Sequence, residues 1–143
     1  MLKKEKKAVI DTNVIFSAAY DPFSLAGKLI FAALEGKVTL IAPEICKDEL
    51  RRNLINKLNY FSKEVDTFIS VLPIIWIPMS VYESLLEIAE KLIKGDDAHF
   101  VAVALLYDIP IITGDKKLQS LSKKYDKVKA YSLRNFLENL KLI

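Results

Sequence analysis

Two aspartates in this sequence lie at or just beyond the ends of short apolar segments, a position from which carboxylates often act. Asp11 follows Ala8–Ile10, and Asp115 comes shortly after Pro110–Ile112. Each segment has the length and composition of a strand buried on both faces. Because the carboxyl ends of parallel strands share one edge of a sheet, where open α/β folds bind ligands, the two acids are expected to meet there. A carboxylate beside apolar core needs a cation, a donor or a proton as its partner.

Three further acids lie on predicted helices. Asp97 opens an apolar helix and, at about 100° per residue, lies on the side of Val101, so it is expected to face inward. Asp96 is interpreted as a capping carboxylate, and for Asp97 taken alone capping is as good an interpretation as a functional role. Glu49 flanks the apolar stripe of a mid-chain helix. Alone it is more typical of a surface glutamate, and only the other acids favour a role in a site.

The residue types of the chain favour one kind of chemistry. Several carboxylates without a cysteine or histidine cluster indicate a hard divalent cation, Mg²⁺ or Mn²⁺. Zinc is not expected, because the chain has one cysteine and one histidine. A nucleophilic triad is not expected either, since His99, the one histidine, is interpreted as an ordinary helix residue and no suitable serine or cysteine constellation accompanies it. No glycine-rich loop for phosphate occurs among the 4 glycines.

The elements that would position these acids alternate between strands and helices. Phe100–Tyr107 is apolar all round, as in a helix covered on every side, and Ile74–Ile77 is a strand bracketed by prolines. Residues suited to N-capping precede several predicted helices: Asn13, Ser24, Ser80 and Ser132. The alternation predicts a parallel α/β sheet with helices on both faces, and 143 residues suit a single domain over 1–143.

Composition narrows the class of protein further. The sequence is 52% hydrophobic and 27% charged, as in globular proteins, and its net charge of +3 permits a polyanionic partner without requiring one. Its one cysteine, Cys46, excludes an intrachain disulfide. We expect neither a signal peptide nor a membrane span, and hence a cytoplasmic protein. The high hydrophobic fraction predicts exposed apolar surface and a symmetric homodimer.

The acids and their neighbours form four short motifs in a fixed order. These are Asp11-Thr12-Asn13, Glu49-Leu50, Asp97-Ala98 and Thr113-Gly114-Asp115. Over nearly the whole chain the pattern resembles the PIN-domain family of metal-dependent ribonucleases. The resemblance implies a three-layer α/β/α sandwich with a mostly parallel central sheet, and a catalytic, metal-binding site of Asp11, Glu49, Asp97 and Asp115 that holds Mg²⁺ or Mn²⁺.

Chains of this size look most like toxins of the VapC type, the ribonuclease half of a toxin–antitoxin pair, which implies a cognate antitoxin and a dimer. One position departs from the pattern, because many members carry another acid where this chain has Lys117. Asp96 is a candidate replacement for that charge, and the number of metal ions, one or two, stays open.

The expected reaction is hydrolysis of single-stranded RNA by a metal-activated water. Asp11 and Asp97 would be primary ligands, with Glu49 and Asp115 binding through water or a second ion. Asn13, Thr113 and Asp96 would support these ligands by hydrogen bonds or charge. Because an acidic site repels RNA, basic residues are expected at its rim, although each is equally well explained as a solvated surface side chain. The candidates are Arg51, Arg52, Lys116 and Lys117.

Three alternatives remain at the level of sequence. A phospho-acceptor receiver domain also places acids at strand ends around Mg²⁺, but it needs an acid after the third strand, where this chain has Pro78. A catalytically silent PIN-like binding module would not need the acids that this chain carries. An RNA-processing nuclease without an antitoxin would have the same site, and only the neighbouring gene would distinguish it from a toxin.

Overall fold

The structure, a computed structural model, describes residues 6–143 and contains a sheet in which every neighbouring pair of strands is parallel. The strands are β1 (Lys7–Ile10), β2 (Thr39–Pro43), β3 (Ile74–Ile77), β4 (Ile111–Ile112) and β5 (Ala130–Tyr131). Their order across the sheet is β3-β2-β1-β4-β5. The register sets Val9 beside Ile41 on one side and Ile111 on the other. The predicted parallel sheet is confirmed.

Eight helices connect the strands within residues 6–143: α1 (Thr12–Tyr20), α2 (Leu25–Leu34), α3 (Cys46–Leu58), α4 (Ser62–Val71), α5 (Met79–Leu92), α6 (Asp97–Tyr107), α7 (Lys116–Lys124) and α8 (Leu133–Asn139). As predicted, Ser24 caps α2 and Ser132 caps α8 through their side chains. No single described helix is long and apolar enough to cross a membrane, although α1 and α2 together, bent by 100°, would suffice in length and composition.

Successive residues of β1 enter two separate hydrophobic cores. Ala8 and Ile10 pack with residues of α1 to α4 and α8, whereas Val9 packs with residues of α5, α6 and α7. Because adjacent residues of a strand point to opposite faces, two cores require helices on both sides of the sheet. The α/β class and its three layers are therefore as predicted, and all three of these β1 residues are fully buried.

The strand order reverses direction between β1 and β4. From β1 the chain builds outward through β2 to β3, and it then returns to place β4 on the other side of β1. Ligands of open α/β sheets bind outside the carboxyl ends of the strands at such a reversal, and Asp11 and Asp115 follow these two strands. A receiver domain has the order 2-1-3-4-5, so this topology excludes that alternative.

Two predicted helix starts and one predicted cap differ in the structure. Asp11, not Asn13, is the N-cap of α1, and Pro78, not Ser80, precedes α5. In both cases the helix begins directly at the end of a strand, so the cap falls earlier than a search for serine and asparagine predicts. Asp96 occupies the N-cap position of α6, but its side chain makes no capping hydrogen bond, so the interpretation of Asp96 as a capping carboxylate is wrong.

Candidate active site

Asp11 is the most buried acid at the carboxyl edge of the sheet, with 6% of its surface exposed. One carboxylate oxygen, Oδ1, accepts the backbone N–H of Asn13 at 3.1 Å. The other, Oδ2, accepts the hydroxyl of Thr113 at 2.7 Å. These two donors supply the partners that a buried carboxylate needs, and each oxygen keeps a lone pair for a further partner. The predicted contribution of Asn13 comes from its backbone, while its side chain is exposed.

Thr113 links the loops that follow β1 and β4. Its hydroxyl donates to Asp11 and accepts the backbone N–H of Asp115 at 3.0 Å. Its carbonyl accepts the side-chain amide of Gln119 at 2.8 Å, a contact that the sequence did not predict. Asp115 in turn caps α7, since its Oδ1 accepts the backbone N–H of Lys117 at 2.8 Å. The hydroxyl of Thr113 is thus fixed in direction by both loops.

Asp97 and Asp115 lie close enough to hydrogen-bond through their side chains. The pKa of Asp97 is raised to about 6, first by burial and then by the charges of Asp115 and Asp11, while the charge of Lys117 opposes the shift. A hydrogen bond between two carboxyl groups requires a proton on one of them, and like charges at close range favour that protonated form. The structure therefore brings together three of the four predicted acids, and it places Asp97 inward as expected.

Glu49 lies on the α3 side of the same edge. Burial raises its pKa, the charges of Asp96 and Asp11 add to the shift, and Arg52 and Lys57 oppose it. Glu49 is partly buried, between the fully buried Leu50 and the exposed Asp48. The exposed Asp96 side chain thus influences the site through its charge on Glu49 rather than through a capping hydrogen bond.

A buried polar group beneath the acids was missed at the sequence level. Thr12 is 1% exposed, and its hydroxyl has no partner in hydrogen-bonding geometry among the described residues. The Cys46 thiol lies near the Thr12 hydroxyl. Burial raises the pKa of Cys46 to about 12, although Thr12 opposes the shift, so the thiol is unreactive at neutral pH. His99 accepts or donates a 2.7 Å hydrogen bond with buried Tyr82, in keeping with its predicted structural role.

The predicted basic residues occupy different parts of the rim. Arg52 and Lys117 lie near enough to Glu49 and Asp97, respectively, to lower the pKa of those acids. Arg51 instead forms an ion pair with Asp66 and donates to Ser62 at 2.6 Å, which ties α3 to α4. Lys116 is exposed at the start of α7. Lys57, which was not predicted, also acts on Glu49.

The donor set fits a hard divalent ion in its chemistry. All of the converging groups are carboxylate or hydroxyl oxygens, and the repulsion from Asp115 and Asp11 that helps to raise the pKa of Asp97 is repulsion that a bound cation would relieve. Within residues 6–143 no three Asp, Glu, His or Cys side chains stand in an arrangement that would hold a metal as they are. Joint ligation would therefore require side-chain rotations at this edge.

The fold and this acidic edge define an α/β protein with its site at a topological switch point. A model of the PIN domain matches residues 9–133, so the chain belongs to the PIN domain family, whose members are generally nucleases. The chain is also similar to the uncharacterized protein MJ1680 of Methanocaldococcus jannaschii, with 35% identity over 148 aligned residues that cover 94% of this chain and 90% of that protein.

Proposed function

We propose that the chain is a divalent-metal-dependent endoribonuclease that cleaves single-stranded RNA with a metal-activated water. The observation that supports this most directly is the Asp97–Asp115 carboxyl pair beside buried Asp11, at the switch point of a PIN fold. Acids that repel one another at a partly buried site destabilise the fold, and a site that binds cations explains why they lie together. A catalytically silent binding module would have no need for a cluster of acids that repel one another.

Asp11 and Asp97 are the proposed primary ligands, with Glu49 and Asp115 binding through water or a second ion. When bound, the ion would lower the pKa of a water and neutralise charge that develops at the phosphate. Thr113 and the backbone of Asn13 hold the Asp11 carboxylate in one orientation through its two oxygens. Attack of water in line with the 3′ oxygen would leave a 5′ phosphate and a 3′ hydroxyl.

The basic residues would offset the charge of the site toward RNA. Arg52, Lys116 and Lys117 are the proposed phosphate contacts, because they lie beside the acids and are exposed. Arg51 contributes less in this proposal, since its guanidinium is already engaged by Asp66. The ion pair makes Arg51 a structural link between two helices.

We further propose a cytoplasmic toxin of the VapC type that is neutralised by a cognate antitoxin. Its support is the resemblance that the four motifs carry, in a chain of which residues 9–133 match a PIN domain. An RNA-processing nuclease with the same site is the alternative. A small adjacent gene for a DNA-binding protein would support the toxin, and co-purification of its product with this chain would test it.

The activity is tested with purified protein and labelled single-stranded RNA. Cleavage should require Mg²⁺ or Mn²⁺ and stop with EDTA. Asp11→Asn is nearly isosteric and should lower the rate by about two or more decades, because the metal site loses a charged ligand. Asp48→Asn removes the same charge from an exposed residue beside Glu49 and should keep the wild-type rate. Equal rates for the two variants would contradict the proposal.

A further inference from the structure

A cleft of about 380 Å³ lies between the end of α5 and one face of α7. Leu92, Ile93 and Leu121 form its apolar floor, and each is partly exposed. Lys116, Lys117, Ser120 and Lys124 complete the lining. The volume is within the roughly 300–1,000 Å³ of small-ligand sites.

All of the charged side chains that line this cleft are positive. Three of its lining residues are lysines, and none is an acid. Among the ion pairs of residues 6–143, none involves Lys116, Lys117 or Lys124, and all three side chains are exposed. Their ammonium groups are therefore available to a bound anion. By contrast, the cleft on the α3–α4 side contains Asp48 and Asp66 beside its Lys47 and Arg51.

The cleft adjoins the acidic edge directly. Lys116 and Lys117 are the first residues of α7, immediately after Asp115, and the charge of Lys117 acts on Asp97. At the other wall, Ile93 directly follows α5 and lies only a few residues before Asp96 and Asp97. A strand whose scissile phosphate lay at the acids would therefore pass over this cleft with its next nucleotide.

From this arrangement we infer that the α5–α7 cleft is a nucleotide subsite, in which the lysines bind backbone phosphates of single-stranded RNA and the apolar floor receives one base with its ribose. This inference rests on the proposed function, because it takes the acids as the site of cleavage. A base reaches such a floor only when it is unpaired and turned out of its stack, which selects single strands over duplexes.

Binding is measured as the fluorescence anisotropy of a labelled ten-nucleotide RNA over a salt series. EDTA is present, so that divalent ions neither support cleavage nor compete for phosphates. The double variant Lys116→Gln/Lys124→Gln leaves Lys117 in place beside Asp97. For single strands log K falls with log salt by about 0.7 per phosphate contact, so this variant should lose about 1.4 of the slope and on the order of tenfold in affinity at 0.1 M salt.

The matched control is Lys127→Gln/Lys129→Gln. These exposed lysines precede β5 and therefore lie at the amino ends of the strands, opposite the acidic edge. They border a second cleft, whose lining also includes Pro110 and Tyr131. The control loses the same charge and should keep the wild-type slope. An abasic strand with the same number of phosphates tests the apolar floor, and wild-type protein should bind it more weakly than the RNA.

Each outcome separates this inference from the proposed activity. Equal slopes for the two double variants would overturn the subsite, even if the wild type cleaves RNA. Equal affinity for RNA and the abasic strand would overturn the role of the floor. Lysine-dependent binding without cleavage under any metal would overturn the nuclease proposal and leave the subsite standing.

Discussion

The carboxyl groups of Asp11 and Asp97 have different surroundings at the carboxyl edge of the sheet. Asp11 receives two hydrogen bonds from protein donors, one on each carboxylate oxygen. Asp97 faces other acids, and burial with their charges raises its pKa to about 6. A proton on Asp97 therefore relieves the repulsion below about pH 6, and at neutral pH, where Asp97 is mostly charged, a bound cation would relieve it instead.

Asp97→Asn should raise the melting temperature of the metal-free protein at pH 7.5 by a few degrees. The pKa of Asp97 is 3.8 in its ordinary state and about 6 in the fold. The folded state thus binds more protons between these values, so the contribution of Asp97 to stability falls as pH rises through this window and is lowest above it. Asparagine removes the charge and can still donate to Asp115.

Thermal melts of wild type and Asp97→Asn at pH 5 and pH 7.5, with and without Mn²⁺, measure this effect. The difference between the proteins should be smaller at pH 5, and the variant should gain less from Mn²⁺, which binds the folded state. Asp48→Asn controls for the loss of one negative charge. A variant that melts below wild type without metal at pH 7.5, with an undiminished Mn²⁺ shift, would make Asp97 a structural residue.

At the scale of elements, the helices and strands follow largely from local patterns. The apolar segment Ile74–Ile77 forms β3 as predicted, and Asn59 ends α3 in the left-handed conformation that suits asparagine. The contacts that complete the site do not follow from local patterns. Thr113 is 102 residues from Asp11, and the side chains of Tyr82 and His99 meet across two helices. Such contacts depend on how the helices pack, which one sequence does not specify.

Gln119 is the side chain that couples α7 to the loop after β4. Its amide donates to the Thr113 carbonyl at 2.8 Å, and the Thr113 hydroxyl donates to Asp11. Gln119→Met keeps the size of the side chain but removes the donor. Because groups that orient ligands typically contribute 10- to 100-fold, we expect Mn²⁺ affinity to fall by about tenfold or more.

The control for Gln119→Met is Ser122→Ala. Ser122 donates to the Gln119 carbonyl at 2.7 Å, so this variant loses a hydrogen bond on the same helix without contact to the loop. Mn²⁺ affinity is obtained by titration of the melting temperature, and the metal-free melting temperature reports stability alone. If both variants lose stability equally and keep wild-type Mn²⁺ affinity, Gln119 does not position the site.

The molecule as a whole carries a net positive charge, although its proposed active site is acidic. Its net charge is +3, although several acids lie together at the ends of β1 and β4 and on the adjoining helices. Lysines of α7 lie on one side of these acids, and Arg52 and Lys57 of α3 lie on the other. The family and the fold were predictable from four motifs in order, whereas the placement of these cations around the acids required the structure.

The apolar surface of the whole chain predicts self-association. Phe23 is 92% exposed, although its backbone is held in a turn. In that turn, the N–H of Phe23 donates to the Asp21 carboxylate and the hydroxyl of Ser24 donates to the Asp21 carbonyl. Tyr20 at the end of α1 and Phe31 on α2 are also largely exposed. Exposed patches of this kind commonly mark interfaces. Sedimentation at micromolar concentration should show a dimer, and Phe23→Ser/Phe31→Ser should shift it toward monomer. A wild-type protein that is only monomeric would contradict this.

The acids at the carboxyl edge are proposed to direct a water at an RNA phosphate, and the chemistry of the product ends reports how that phosphate was attacked. Single-stranded RNA is digested with wild-type protein and Mn²⁺, and both new ends are analysed by mass spectrometry. We predict 5′ phosphates and 3′ hydroxyls, formed only while EDTA is absent and still formed by His99→Ala. Ends with 2′,3′-cyclic phosphate, or cleavage that persists in EDTA, would contradict the account.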